Sequence, residues 1–539
     1  MPEVIIETAK DGHKVPVFVI DSKPKHLGSM YDGDHMAKVW CDRTIQPDNQ
    51  DMLLVGLGDC KIALEARERL LGNIYIYEPE KAIYENLKNT AIFKKLSRRN
   101  DVFVSTDAER AGKWPFELFN MDRIETSLFC IHPGYVNEST EEKIAHFKEK
   151  FDEAFKKMGD LKASLSVVMP SLVANQLRNI SAMKNGILLS RLKKKWNRSV
   201  PFIIVGAGPS LNKNVEVLKE VGDKACILCL DSAYPVLEKH GIRPHFVASV
   251  DAKKNLDVFG DLTDWDIPLI TMTNAKYELI RAAKGPIVWG YEGQEFPKEI
   301  RGPIGGDDDL IPTDYGVISL ALSFALSLEV NQLVFIGLDL SYSEDGRSHS
   351  GIIKEEYIRY DEYVYPGYNG GTVYSRGDWA VMKKWLEAIA GEYERERLIN
   401  ATEGGVKIEG MAQMPLSKVV SYLKEPKDDW YSSIYKEEVH ISEEEHEGMM
   451  RRLAEAINGF ERLYDMTFED IIRDTGYKPR ASRELLLTVM KSSLEWEKDK
   501  RIAFAKEKTK EYITDYLNDG GYDELEGYLD RDKLSFLRG

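Results

Sequence analysis

The segment Ile203-Ile204-Val205-Gly206-Ala207-Gly208-Pro209-Ser210-Leu211 decides the fold, because an apolar strand runs directly into a glycine-rich turn and a helix start. The two glycines allow backbone amides to approach a ligand closely. The free amides and the dipole of the next helix, predicted over 211–221, favour a phosphate. Ser210 adds a hydroxyl at the same place. A tight β–α turn without a ligand is the alternative that this motif leaves open.

Further strand and helix patterns alternate around this segment. Short apolar runs typical of buried strands occur at 202–205, 225–230, 246–250, 268–272 and 333–338. Helical patterns lie between and after them, at 317–328, which lacks a polar face, and at 379–394. Such alternation predicts a central α/β domain with a doubly wound, mostly parallel sheet.

The flanking regions differ from each other. The strand 52–55, the turn 56–59, the helix 61–71 and the strand 74–77 with Glu78 predict a smaller Rossmann-like α/β domain. A helical pattern begins at 141, and strand patterns vanish after 425, where Ser442 to Glu445 forms a capping box. The predicted domains are an N-terminal Rossmann-like domain (1–140), a helical connection (141–198), a central domain (199–425) and a helical C-terminal domain (426–539).

Composition excludes several classes of protein. The chain has 539 residues, which exceeds one core, and a net charge of −16, which disfavours nucleic-acid binding despite the basic segment 191–198. No apolar run approaches the roughly 20 residues of a membrane span. The first residues lack a secretory pattern, so a cytoplasmic location is expected. Among five scattered cysteines, Cys226 and Cys229 are interpreted as buried small hydrophobes.

Polar residues follow the next two strands of the central domain. Asp231 and Ser232 end the second strand, and Ser249 and Asp251 end the third. Because the carboxyl ends of parallel strands meet at one edge, these residues are expected to face one crevice. A carboxylate at this place commonly holds a ribose or a base, whereas a helix N-cap is the alternative for Asp231.

Three later segments carry candidate chemistry. The stretch 305–316 contains three consecutive aspartates (307–309), then Thr313 before the apolar helix, which is a second anion-seeking helix start. The aspartates suit either a hard cation or a solvated acidic loop. Asp339 ends the late strand. The loop 343–376, which contains His349, Tyr374 and Arg376, is long enough to be a functional lid or disordered.

The ordered series GAGPSL, LDSAY…KHGIRPHFVASVDA, PTDYGV…ALSLEVNQLVFIGLDLSY and WAVMKKWLEAIAGEYE resembles the core of the motility-associated factor glycosyltransferases. It is more distantly similar to bacterial sialyltransferases that use CMP-sugars. The resemblance covers about 200 residues in the core and, in layout, nearly the whole chain. It implies transfer of a nonulosonic acid, pseudaminic or legionaminic, from its CMP-activated form to Ser or Thr of flagellin.

The resemblance also implies site residues. The matches to the phosphate and nucleotide loop of the sialyltransferases are Gly206, Gly208 and Ser210, and Asp231 falls where those enzymes have an Asn near the nucleotide. The matches to the loop beside the donor are Thr313, Asp314 and Gly316, and Asp339 matches the acid after the late strand. Their place in the glycine turn or at the strand ends assigns four more residues to the nucleotide: Ala207, Pro209, Ser232 and Asp251. Arg376 and Tyr342 are assigned to the donor sugar or phosphate, Arg376 because a guanidinium pairs with such anions in bidentate fashion. A surface residue at a helix start is the alternative for Arg376.

Two departures affect these assignments. Ala207 stands where the sialyltransferases have Asn, and the stretch Tyr374 to Asp378 lacks their His. Tyr374, His349 and Asp339 are therefore the candidate bases, although a base at neutral pH is easiest for His.

The expected reaction is a single displacement at the anomeric carbon, without an obligate metal or cofactor, although Mg²⁺ is compatible with it. Two alternatives remain. The G-x-G-P-S turn and the segment 231–244 are similar to an archaeal 6-hydroxymethylpterin diphosphokinase, but only Asp251 supplies an acid at the third strand end. The other alternative is a non-catalytic flagellin-binding protein.

In the N-terminal domain, which resembles methyltransferase-like Rossmann domains, Glu78 either holds a ribose or belongs to a degenerate site.

Overall fold

The computed structural model describes residues 3–47, 49–98, 101–115, 118, 126–136, 140–291, 293–306, 309–311, 313, 315–350, 363–474, 476–495, 497–530, 534 and 537. The chain forms two compact units. The first contains 1–167, 467–473 and 490–505, and the second contains 168–466, 474–489 and 506–539. The boundaries of the four domains predicted from the sequence stay a prediction, because the two units group the chain differently.

The first unit contains two small sheets. An antiparallel sheet has the order β1 (Glu3–Thr8), β2 (Lys14–Ile20), β3 (Lys23–His26). A parallel sheet has the order β6-β5-β4-β7, in which the strands are β4 (Asp51–Val55), β5 (Ile74–Tyr77), β6 (Val102–Ser105) and β7 (Ser127–Ile131). The described helices up to residue 140 are Gly33–Thr44, Lys61–Arg69, Lys81–Leu87, Ala91–Leu96 and Ala108–Ala111.

The second unit is built on a parallel sheet of nine strands in the order β18-β17-β14-β9-β10-β11-β12-β13-β8. The strands are β8 (Ile187–Leu188), β9 (Phe202–Val205), β10 (Cys226–Leu230), β11 (Phe246–Ala248), β12 (Leu269–Met272), β13 (Ile287–Gly290), β14 (Leu333–Ile336), β17 (Leu398–Asn400) and β18 (Ala412–Gln413). A hairpin joins β15 (Val364–Pro366) and β16 (Thr372–Tyr374). From β9 the chain adds β10 to β13 on one side and β14, β17 and β18 on the other. The strand order therefore reverses between β9 and β14, which is where open α/β sheets bind ligands.

Helices cover this sheet and continue beyond it. A long helix, Glu141–Ser181, precedes β8, and the next ones are Leu189–Lys193, Leu211–Asn214, Tyr234–Lys239, Tyr277–Ala282, Glu295–Arg301, Val317–Ser327, Gly377–Ala390 and Leu416–Tyr422. The C-terminal region holds Glu443–Tyr464, Phe468–Arg473, Arg480–Met490, Lys498–Tyr516 and Tyr522–Glu524. These elements confirm the predicted fold class: a large doubly wound parallel sheet, a smaller Rossmann-like sheet before it and a helical region after it.

Burial explains why the apolar runs form the central strands. The side chains of β9, β10 and β14 are all buried, as a parallel sheet covered on both faces requires. Cys226 and Cys229 are buried free thiols in β10. The predicted capping box is confirmed, because Ser442 and Glu445 exchange side-chain to backbone hydrogen bonds. No helix of the described chain is both long and apolar enough to cross a bilayer.

Candidate functional site at the carboxyl ends of the central strands

The glycine turns that follow β9 and β14 interlock. The Gly206 amide donates to the Ile336 carbonyl (2.8 Å) and the Gly208 amide to the Gly337 carbonyl (2.7 Å). A Cβ on Gly206 would lie 2.5 Å from the Gly337 oxygen, and a Cβ on Gly337 would lie 2.1 Å from the Gly206 oxygen. The glycines therefore bring two strand ends together. The prediction that their amides face a ligand is wrong, because both amides donate to backbone carbonyls of the protein.

Ser210 and Asp339 form a buried pair. The Ser210 hydroxyl donates to Asp339 Oδ2 (2.7 Å), and its amide lies 3.2 and 3.3 Å from the two carboxylate oxygens. Asp339 is only 6% exposed, and burial raises its pKa to about 6 although the bonds from Ser210 lower it. The hydroxyl that was predicted to face a phosphate is thus directed at Asp339.

The helix after this turn is shorter than predicted. An α-helix covers only Leu211–Asn214, and the chain continues as a 3₁₀-helix over Val215–Glu220. The predicted helix over 211–221 is wrong in this respect, because the chain tightens after one turn. A single turn contributes little aligned dipole, so this helix start attracts a phosphate less strongly than a helix over 211–221 would.

A third glycine turn, which sequence reasoning missed, closes over Asp339. The Val406 amide donates to the Asp339 carbonyl (2.8 Å), and a Cβ on Gly405 would lie 2.3 Å from Asp339 Cα. The Lys213 ammonium, which donates to the Glu403 carbonyl (3.4 Å), lowers the pKa of Asp339 by its charge. The Gly404-Gly405 pair after β17 was the local signal available for this turn.

A cavity of about 150 Å³ opens where these turns meet, at the point where the strand order reverses. Its polar and backbone lining comes from the strand-end turns, and its apolar wall comes from the helices Val317–Ser327 and Gly377–Ala390. The lining residues are Gly206, Ala207, Gly208, Leu230, Ser232, Tyr315, Val317, Ile318, Gly337, Leu338, Asp339, Leu340, Ser348, His349, Trp379 and Met382. Six of the predicted site residues meet here: Gly206, Ala207, Gly208, Ser232, Asp339 and His349.

Asp231 lies behind this cavity in a polar network. It is 2% exposed, and its carboxylate accepts from Ser249 Oγ (2.9 Å), Lys254 Nζ (2.7 Å) and Ser232 Oγ (3.1 Å). Polar side chains at the ends of the second and third strands were predicted to lie close together, and Asp231 and Ser249 do so. Asp251 is exposed instead, and its carboxylate accepts from the Lys253 amide (2.8 Å). The residue from this segment that does contact Asp231 is Lys254, which the sequence analysis missed.

The first part of the long loop packs onto the glycine turn. The Ser350 amide and hydroxyl both donate to the Ala207 carbonyl, at 2.7 and 3.0 Å. This contact holds His349 at the cavity, where its Nδ1 lies 2.8 Å from Ser348 Oγ. Two candidate bases, His349 and Asp339, therefore line the same cavity.

The remaining predicted residues do not line this cavity in the described structure. Arg376 lies over the ring of Trp379 (4.0 Å), a residue that lines the cavity, and pairs with Asp378 (2.9 Å). Tyr342 packs against the same indole at 5.1 Å, and its amide donates to the Tyr374 carbonyl (2.9 Å). Pro209, Thr313 and Gly316 also lie outside the lining, although Thr313 and Gly316 precede the helix Val317–Ser327. Asp314 falls outside the described residues.

Of the three aspartates at 307–309, before the helix Val317–Ser327, the structure describes Asp309, which has a structural role. Asp309 is fully buried, and its carboxylate accepts from the amides of Ser190 (2.7 Å) and Gly306 (2.9 Å). Asp307 and Asp308 fall outside the described residues. Within the described chain, no group of three or more His, Cys, Asp or Glu side chains is placed to hold a metal ion.

The crevice of the small parallel sheet is filled by the protein itself. Glu78 is fully buried and accepts from the amides of Leu57 and Glu80 (both 2.8 Å) and from the Tyr135 hydroxyl (2.5 Å). A Cβ on Gly56 would lie 2.4 Å from the Tyr135 ring. Tyr135 thus occupies the place where a Rossmann domain takes a ribose, and burial raises the pKa of Glu78 to about 7.

We expect Tyr135→Phe to destabilise the first unit by about 1–3 kcal/mol, because it removes a hydrogen bond from a buried carboxyl group. The measurement is thermal and urea unfolding followed by circular dichroism. Tyr31→Phe is the matched control, since Tyr31 is 72% exposed. Equal stability of the two variants would show that the Tyr135 hydroxyl contributes nothing to this unit.

Comparisons with known proteins agree with this architecture. A family model described as 6-hydroxymethylpterin diphosphokinase MptE-like matches residues 174–345, which is less than half of the chain but includes the glycine turn and Asp339. An uncharacterized protein of Treponema pallidum (strain Nichols) is 34% identical over 76 residues, and this match spans 13% of the chain and 36% of that protein.

A solved structure matches almost the whole chain. It is the MAf glycosyltransferase from Magnetospirillum magneticum AMB-1, with a TM-score of 0.54, 15% identity and coverage of 99% of this chain and 94% of that one. The second unit is therefore built around an MptE-like α/β domain, and the chain as a whole has the fold of a motility-associated factor glycosyltransferase. The resemblance stated from the sequence motifs is confirmed in the fold.

Proposed function

We propose that this protein is a glycosyltransferase that moves a nonulosonic acid of the pseudaminic or legionaminic type from a CMP-activated donor to Ser or Thr of flagellin in the cytoplasm. The observation that carries the proposal is Asp339, a buried carboxyl group at the point where the strand order reverses, in a chain with the fold of a MAf glycosyltransferase. A buried acid with a raised pKa in a cavity is typical of catalytic sites.

The donor phosphate has a suitable place on one wall of the cavity. Val317 and Ile318, in the first turn of an 11-residue helix, line it together with Ala207. Unbonded amides at a helix start favour an anion. The volume of about 150 Å³ is smaller than most ligand pockets, so it holds only part of the donor.

Asp339 is the base we propose for the acceptor hydroxyl. Its pKa of about 6 lets it be ionised and still accept a proton near neutral pH. Departure of the CMP phosphate requires no obligate metal in this scheme, and Mg²⁺ is compatible with it. His349 lines the same cavity and is the alternative base, whereas Tyr374 lies outside the lining.

Calorimetric titration of the full chain with CMP, CDP and ATP, with and without Mg²⁺, tests the donor class. We expect CMP to bind after metal removal, and Ala207→Leu, which fills the cavity, to weaken CMP binding at least about 10-fold. Ala388→Leu, an exposed change on the helix Gly377–Ala390, is the control. Failure of CMP to bind the wild-type chain under any of these conditions would refute the proposed donor.

A second function, 6-hydroxymethylpterin diphosphokinase, is favoured by the family-model match over 174–345. That reaction takes magnesium held by clustered acids, and at the third strand end only Asp251 is present, bonded to the Lys253 amide. Magnesium-dependent ATP binding without a response to CMP would select this function. Retention of flagellin by a chain that binds neither nucleotide would select a non-catalytic flagellin-binding protein.

A further inference from the structure

The hydroxyl of Ser232 is held in one orientation by its neighbours. It donates to Asp231 Oδ1 (3.1 Å) and accepts from Lys254 Nζ (3.1 Å). A protonated lysine only donates hydrogen bonds, so the hydroxyl proton must point toward the carboxylate. Asp231 also pairs directly with Lys254 (2.7 Å) and accepts from Ser249 Oγ (2.9 Å), which keeps it in place.

The hydrogen-bonding position that the Ser232 hydroxyl leaves unused determines which ligand group it can bind. A hydroxyl oxygen has two lone pairs and one proton. Lys254 uses one lone pair and Asp231 receives the proton, so only a lone pair is left for a ligand. Ser232 lines the cavity, whereas Asp231 is 2% exposed behind it. A ligand group beside Ser232 must therefore donate a hydrogen bond, and a phosphate oxygen, which only accepts, is disfavoured there.

We propose that Ser232 is a specificity-determining residue that accepts a hydrogen bond from a neutral O–H or N–H group of the nucleotide, with Asp231 and Lys254 as its positioning residues. This inference rests on the proposed function. It orients the donor in the cavity: the phosphate lies toward Ala207 and the helix Val317–Ser327, and a ribose hydroxyl or the base amino group lies toward Ser232. Sequence reasoning assigned Ser232 to the nucleotide without this polarity.

The test is calorimetric titration of the wild-type chain and Ser232→Ala with CMP, 2′-deoxy-CMP and UMP. One neutral hydrogen bond predicts that Ser232→Ala weakens CMP binding about 3- to 10-fold. We also expect wild type to bind one analogue more weakly than CMP by a similar factor, and Ser232→Ala to lose that discrimination. Weak binding of 2′-deoxy-CMP would identify the ribose hydroxyl as the donor, and weak binding of UMP the base amino group.

Two further variants keep the result interpretable. Ser232→Thr retains the hydroxyl and should retain the discrimination. The control Ser421→Ala removes an exposed serine hydroxyl that donates to the Lys418 carbonyl of its own helix (2.7 Å). Unchanged CMP affinity in Ser232→Ala, or discrimination retained by it, would overturn the inference while leaving the proposed function intact. Absence of any CMP or UMP binding to wild type would instead overturn the proposed function, and with it this inference.

Discussion

Gly208→Ala is expected to abolish CMP binding and to destabilise the second unit by about 3 kcal/mol or more. The added Cβ would lie 1.9 Å from Asp339 Oδ2 and 2.7 Å from the Gly337 carbonyl oxygen. Neither neighbour can move freely, because Asp339 is buried and bonded to Ser210, and the Gly337 carbonyl accepts the Gly208 amide. Overpacking of a well-ordered site typically costs about 1–3 kcal/mol, and loss of the buried hydrogen bonds adds to it.

Thermal unfolding and calorimetry with CMP measure these two effects. Gly293→Ala is the matched control, since its Cβ would meet no described atom within 4 Å. A Gly208→Ala chain that melts and binds CMP like the Gly293→Ala chain would show that the interlocked turns tolerate a side chain. The site geometry described above would then be wrong.

Asp339→Asn is expected to reduce transfer at least about 100-fold while leaving the chain as stable as wild type, or more stable, at neutral pH. The loss of rate follows from removal of the proposed base. The stability effect follows from burial, which raises the pKa of Asp339 from 3.8 to about 6. About two pKa units correspond to roughly 3 kcal/mol between the protonated and ionised forms.

The sign of the pH dependence follows from linkage. Because the folded pKa exceeds the unfolded one, the stability contributed by the protonated carboxyl group is complete below pH 3.8 and is lost as the pH rises through about 6. Wild type should therefore lose stability relative to Asp339→Asn between about pH 4 and 6, as followed by thermal unfolding across this range. The transfer rate of wild type should rise with pH through about 6.

Asp345→Asn, an exposed change in the loop that follows Asp339 along the chain, is the control for both measurements. Full activity in Asp339→Asn would show that Asp339 is not the base, and His349, which lines the same cavity, would be the next candidate. A large loss of stability at pH 7.5 would show that the carboxylate charge stabilises the fold, contrary to the direction of its pKa shift.

The architecture of the protein was predictable from the order of its apolar segments and turns. Buried parallel strands consist of continuous apolar residues, so β9, β10 and β14 are recognisable within one or two residues of their observed ends. The G-x-G turn marked the strand end at which the cavity lies. The acid after β14 was also recognisable, because carboxyl ends of parallel strands meet at one edge. These features depend on local periodicity and topology, which a single chain displays directly.

The hydrogen-bond partners of the polar groups, in contrast, became visible only in the folded chain. The hydroxyl of Ser210 is used by Asp339, 129 residues later, and the carboxylate of Asp231 is used by Lys254 and Ser249. In the first unit Tyr135 occupies the crevice beside Glu78, where the strand pattern left a ribose site and a degenerate site as equal alternatives. A side chain's partner depends on contacts between distant segments, and spacing along the chain carries no information about those contacts until the strands are paired.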